Sequence, residues 1–293
     1  MTDTCIALLN PIEPERKSTL CRVAEVASGS GTPLLLCGAF ARDVLFWNMH
    51  GIETRRETLD IDISVQITSW EAYERFGRRL LEQGFKNPYE HHPEKFRDEQ
   101  TGHELDLLPF GELAEDGKTL IWPTDNSPWS VVGFQDAFEN ALYLGLQDGV
   151  REYRIRLVSI PALVMLKIVA AHDRPKDRYK KDSTDIGFVI EKYTQAGNKD
   201  RLKTPPHGEI MRLTNGDLDM AAAALLGRDL AGMVCEDTRE YLLGLLEHEV
   251  TSGSRCYLAR GLREGICKGD FTRGRQLLSV LARNLREWPA SGG

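Results

Sequence analysis

From Leu59 to Ile67 the chain alternates without a break. Leu59, Ile61, Ile63, Val65 and Ile67 are apolar, while Asp60, Asp62, Ser64 and Gln66 are polar. Successive strand side chains point to opposite faces, so the pattern predicts a strand over 58–67 with its odd positions on a core. Upstream, the leucines of TPLLLCG (32–38) predict a short buried strand ended by glycine. Between the two, AFARDVLFWNMHG carries Phe40, Val44, Leu45 and Trp47 at helical spacing, with Gly51 as its C-cap. A helix over 14–29, with Leu20, Val23 and Val26 on one side, opens the chain. Thr68 followed by Glu71 makes a capping-box pattern for a helix running to Gly84.

EKFRDEQTGHELDLLPF predicts a hairpin turned around Thr101-Gly102, with its second strand over 103–109. A loop rich in Trp and Pro leads to a helix near 135–143. A strand over 153–160 and a helix entered through Ser159 and Pro161 follow. KKDSTDIGFVIEKY continues as helix to about Tyr193, and QAGNKDRLKTPPHG (195–208), polar with two prolines, has the composition of a linker. Everything beyond it has helical periodicity. The expected architecture is α+β: a mixed sheet flanked by helices over 1–198, then a smaller all-helical domain over 199–293.

Composition narrows the class. An apolar fraction of 41% and a charged fraction of 28% over 293 residues describe a folded globular chain with a sizeable core. No stretch is apolar for the roughly 18 residues a membrane span needs, and no basic segment precedes an apolar one at the N-terminus, so a cytoplasmic protein is expected. Cys5, Cys21, Cys37, Cys235, Cys256 and Cys267 form no C-x-x-C pair, which favours reduced thiols. His91, His92 and His103 lie near one another without zinc spacing. A net charge of −7 argues weakly against non-specific nucleic-acid binding, so any polyanion must be held by a local basic patch.

The chemistry starts from Asp60 and Asp62. Two like charges about 7 Å apart on one strand face repel unless a cation sits between them, and paired carboxylates of this kind suit Mg²⁺. Asp106, between Leu105 and Leu107 in a second alternating strand, can complete a two-metal set. The turn at LLCGAF offers backbone amides at Gly38, Ala39 and Phe40, the arrangement that suits a phosphate. For each feature the plain alternative is a solvated surface or an ordinary strand–glycine–helix turn. Trp122 and Trp129 can stack on a base or pin their loop to the body.

Taken together, GAFARDVLFWNMHGIETRRETLDIDISV, ELDLLPFG, VSIPALVMLKIVAAHDR and KKDSTDIGFVIEKY resemble the AbiEii branch of the DNA polymerase β-like nucleotidyltransferase superfamily. Its members act as toxins of type IV toxin–antitoxin systems and in abortive infection. The resemblance spans roughly residues 30–235. It implies transfer of an NMP from an NTP to an acceptor hydroxyl, with Mg²⁺ or Mn²⁺ as cofactor. It further implies RNA, for instance the 3′ end of tRNA, as acceptor and an antitoxin as partner. By the same resemblance Asp60, Asp62 and Asp106 hold metal, and Asp106 also serves as general base. Gly38 and Ala39 match the family's Gly-Ser turn for nucleotide phosphates, but Ala39 lacks the hydroxyl. Lys167 and Arg174 match residues that meet the triphosphate, and Asp182 and Asp185 match a nucleotide-binding motif that orients Lys167 or the base-binding side, with helix N-terminal capping as the plain alternative. Arg56, beside Arg55 and ahead of the D-x-D strand, is a phosphate ligand or a solvated charge. Two other readings stay open: a small-molecule enzyme like the aminoglycoside nucleotidyltransferases, and a non-catalytic nucleotide-binding protein of the same fold. A basic groove around 174–181 would favour RNA, and an acidic cleft a cationic sugar.

Overall fold

Helix α1 (Pro14–Ser30) is set by its ends: Pro14 sits in the first turn, where its missing N–H costs no bond, and Gly31 closes the helix at φ 63°. The chain is seen here as a computed structural model, which describes all residues except 1–3, 55–57, 59, 90–91, 115, 174–178, 253–255 and 290–293. It forms two compact units, Met1–Ser159 and Ile160–Gly293.

The first unit is built on a mixed sheet. Its strands are β1 (Leu34–Cys37), β2 (Asp60–Gln66), β3 (Phe85–Lys86), β4 (Lys95–Asp98) and β5 (Glu104–Phe110). A two-stranded ribbon follows, β6 (Thr119–Ile121) with β7 (Pro128–Ser130), before β8 (Leu142–Gln147) and β9 (Glu152–Leu157) return to the main sheet. The order across the seven strands is β3-β4-β5-β2-β1-β9-β8. β2 lies at the centre, parallel to β5 and antiparallel to β1. Helix α2 (Gly38–Asp43) packs on β1 and β2, and α3 (Trp70–Glu82) packs with α1. A single turn of α4 (Phe134–Glu139) precedes β8.

Several local expectations shift. The cap of α3 is Ser69, which accepts from the Ala72 amide at 3.2 Å, one residue later than the Thr68 pattern. After α2 a wide π turn over Val44–Asn48 changes the helical phase, so Phe46 is buried and Trp47, expected on the apolar side, is 41% exposed. Gly51 caps that segment at φ 67° as expected. The helix near 135–143 stops at Glu139, and Leu142, Leu144 and Leu146 belong to β8. Trp122 is buried against Trp70, Tyr73 and Trp129, with ring centroids 5.1–5.7 Å apart. Its role is to pin the ribbon to α3.

The second unit is helical. It contains α5 (Ile160–Asp173), α6 (Tyr179–Lys192), the single turn α7 (Ile210–Leu213), α8 (Leu218–Ala231), α9 (Glu236–Thr251), α10 (Tyr257–Glu264) and α11 (Phe271–Glu287). α8 and α11 approach so closely that a Cβ on Gly227 would overlap the Leu281 carbonyl. The buried Glu249 carboxylate accepts three amides, from Tyr257, Leu258 and Ala259 at 2.9–3.2 Å, and so caps α10. The segment read as a linker is folded too: a wide turn over Thr194–Asn198, broken at Ala196 and Gly197, and a tight 3-10 turn over Asp200–Lys203 bury Ala196 and Leu202. Among the described residues no helix is long and apolar enough to cross a membrane.

Candidate active site

β2 and β5 run parallel in a register that pairs Asp62 with Asp106 and Asp60 with Glu104. Paired residues on adjacent strands share a face about 4.8 Å apart, so the four acidic residues lie on one face of the sheet. Ile61, Ile63, Leu105 and Leu107 bury the opposite face, while Asp60, Asp62, Glu104 and Asp106 are each half-buried. The sequence singled out three of the four. Glu104 was legible as well, two residues before Asp106 on the same strand face. The even face of β2 does not stay open along its length: Ser64 is fully buried beside the Cys37 thiol at 3.4 Å.

Gly38 explains how Asp62 fits. It follows β1, whose last residue Cys37 pairs with Asp62, and has φ 70°, a conformation that L side chains strain to adopt. A Cβ on Gly38 would overlap the Asp62 carboxylate. The glycine therefore supplies both the turn and the space for the acid. Ala39 is buried, which leaves backbone groups as the turn's polar offering.

The predicted hairpin, β4 to β5, adds a residue that the sequence reading did not single out. Its register places Lys95 opposite Asp106, and the Lys95 ammonium donates to both carboxylate oxygens at 2.8 and 3.0 Å. Burial pushes the Asp106 pKa up. Lys95 opposes this, Asp60 and Glu94 add to it, and the net effect is a pKa raised from its ordinary value. Burial alone would lower the Lys95 pKa, but its bond to Asp106 and the charges of Asp106, Glu94 and Asp60 raise it. Next along the face, the Tyr89 hydroxyl donates to Glu104 at 2.6 Å.

As they stand, no three His, Cys, Asp or Glu side chains among the described residues are grouped to hold a metal ion. Their donor chemistry nevertheless suits a divalent cation. The face offers hard oxygen donors in register, and a cationic group, the Lys95 ammonium, already sits on Asp106. Asp60, Asp62 and Asp106 are the residues that would hold it.

The remaining predicted residues lie in the helical unit. Lys167 on α5 meets Asp182 and Asp185 on α6 at 2.9 and 2.8 Å. The lysine side chain is 12% exposed and the aspartates 0% and 5%. Burial alone would depress the Lys167 pKa, but the two carboxylates outweigh it and raise the value. Arg55, Arg56 and Arg174 lie outside the described residues.

Residues 20–215 match the family described as nucleotidyl transferase AbiEii toxin, type IV TA system. No curated protein matches the sequence. Among solved structures, the antibiotic-resistance factor ANT(2'')-Ia in solution shares 17% identity over 75% of this chain and 96% of its own, at a TM-score of 0.39. An antigenic nucleotidyltransferase-like protein from Paracoccidioides brasiliensis shares 16% over 82% and 95%, also at 0.39. The CCA-adding enzyme in complex with CTP shares 15% over 92% and 79%, at 0.26. None of these three reaches a TM-score of 0.5.

Proposed function

Because the chain belongs to the AbiEii family of nucleotidyltransferase toxins of type IV toxin–antitoxin systems, we propose that its β2–β5 face transfers an NMP from an NTP to an acceptor hydroxyl. The observation that carries this is the register of Asp62 with Asp106 beside the space left by Gly38. Asp60, Asp62 and Asp106 would hold a divalent cation, which would supply charge neutralisation at the α-phosphate. The Gly38–Ala39 turn binds phosphate oxygens through its backbone. Asp106 accepts the proton of the acceptor hydroxyl as the new O–P bond forms and the bond to the departing pyrophosphate breaks. By the family resemblance Lys167, Arg56 and Arg174 are nucleotide ligands, and the ion pairs of Lys167 support an orienting role for Asp182 and Asp185. We take the nucleotidyltransferase domain to run to residue 198, beyond the compact division at Ser159. A cytoplasmic site of action and an antitoxin partner complete the reading.

The acceptor has two readings. Family membership points to RNA such as the tRNA 3′ end. The acidic face, where Glu104 extends the row of Asp60, Asp62 and Asp106, favours a cationic small molecule such as an amino sugar. One assay separates them: incubate the protein with Mg²⁺ and each α-labelled NTP, with total tRNA in one arm and amino sugars in another. Asp62→Ala should lose at least about a hundredfold of the transfer, the scale of the charge stabilisation that a metal supplies. Equal labelling by wild type and variant would overturn the assignment, and transfer of a γ-label would overturn the reaction type.

A further inference from the structure

We infer that Lys95 is the resident counter-ion of Asp106, the charge that an incoming divalent cation displaces before the third carboxylate joins Asp60 and Asp62. This inference rests on the metal-dependent reading above. It starts from placement. Lys95 is fixed opposite Asp106 by the β4–β5 ladder, and its ammonium takes both oxygens of that carboxylate. A cation bound to the same carboxylate would face a like charge within about 4 Å, an arrangement that costs energy in a half-buried site. The two occupants therefore compete for Asp106.

The pair is also built to open. The side chains of Lys95 and Asp106 are 30% and 22% exposed, so the ammonium can swing into water on its flexible stem. Asp60 and Glu94 are close enough to act electrostatically on the same ammonium, so Lys95 offsets charge on more than one acid of this face. The consequence is a metal affinity held down in the empty enzyme. Nucleotide phosphates, which accept bonds from a displaced ammonium, then make loading of metal and NTP cooperative.

The test is a calorimetric titration of Mn²⁺ into the full chain without nucleotide. Lys95→Met should bind Mn²⁺ about fivefold more tightly than wild type, the scale expected when one partner of a part-exposed ion pair is removed. Lys95→Arg should bind like wild type, and Asp106→Asn in the Lys95→Met background should lose the gain. Lys95→Gln serves as a second neutral variant if circular dichroism shows that the methionine form is misfolded. A purely structural lysine would leave the affinity unchanged or weaken it on removal. Equal or weaker binding by both neutral variants overturns the inference alone. Absence of Mn²⁺ binding in every form overturns it together with the metal-dependent reading.

Discussion

Lys95 and Lys167 each meet aspartate oxygens at 2.8–3.0 Å, yet the two sets differ in almost every other respect. Lys95 meets one aspartate across a hairpin, with about a quarter of each side chain open to solvent. Lys167 meets two aspartates across a helix pair, with both carboxylates almost wholly shut away. Contact distance is the same, so burial decides what each set can do. A part-exposed pair exchanges its partner for a ligand at little cost. Drawing Lys167 away from two buried aspartates removes charge compensation from a poorly solvated interior, which costs far more. Lys167 thus also braces the helical unit, and its proposed meeting with a phosphate happens with both aspartates still attached.

The largest expected effect tests that difference directly. Lys167→Met removes a buried ammonium that both Asp182 and Asp185 meet and should cost about 4 kcal/mol of unfolding free energy, read by denaturant melts. The matching change Lys95→Met should cost less than about 1 kcal/mol. Adding Asp182→Asn and Asp185→Asn to Lys167→Met should restore part of the loss, because neutral amides bury more cheaply than carboxylates. Equal costs at the two lysines would break the comparison.

Gly38→Ala comes next. At φ 70° a Cβ is strained, and here it also overlaps the Asp62 carboxylate. The combined cost should be about 2 kcal/mol, with transfer activity lost even where the chain still folds. A fully active Gly38→Ala protein would show that Asp62 does not need the position it holds.

How much of this was legible beforehand follows from period and register. The alternation around Asp60 and Asp62 gave strand, face and acids together, because period two is a local property. The glycine turn was equally local. Lys95 was hidden because its partner depends on hairpin register. A turn centred between Thr101 and Gly102 would set Asp106 opposite Arg97. The actual loop spans Glu99–Gly102, closed by Asp98 and His103, and that shift brings Lys95 to Asp106. Asp98 itself, wholly buried and bonded to Thr19, Thr101 and Arg22, fixes that closure through contacts some 80 residues apart, which no local pattern carries. β8 was missed for a different reason: the helical pattern of α4 was carried through Asn140, where the alternation of Leu142, Leu144 and Leu146 had already begun.

The smallest effect in the comparison is its dependence on pH. The Lys167 pKa is raised above its ordinary 10.5 in the folded chain. Its stabilising contribution is therefore complete below pH 10.5 and is lost as pH climbs through the folded value. The slope for one proton is at most about 1.4 kcal/mol per pH unit. Lys95 has the same sign, since its pKa is also raised, but its exposure makes the contribution smaller. Thermal melts above pH 10.5 should therefore fall more steeply in wild type than in Lys167→Met, while Lys95→Met should track wild type closely. Parallel curves for wild type and Lys167→Met would mean that Lys167 keeps no more hold on its proton folded than unfolded, and its bracing role would fail at its electrostatic root.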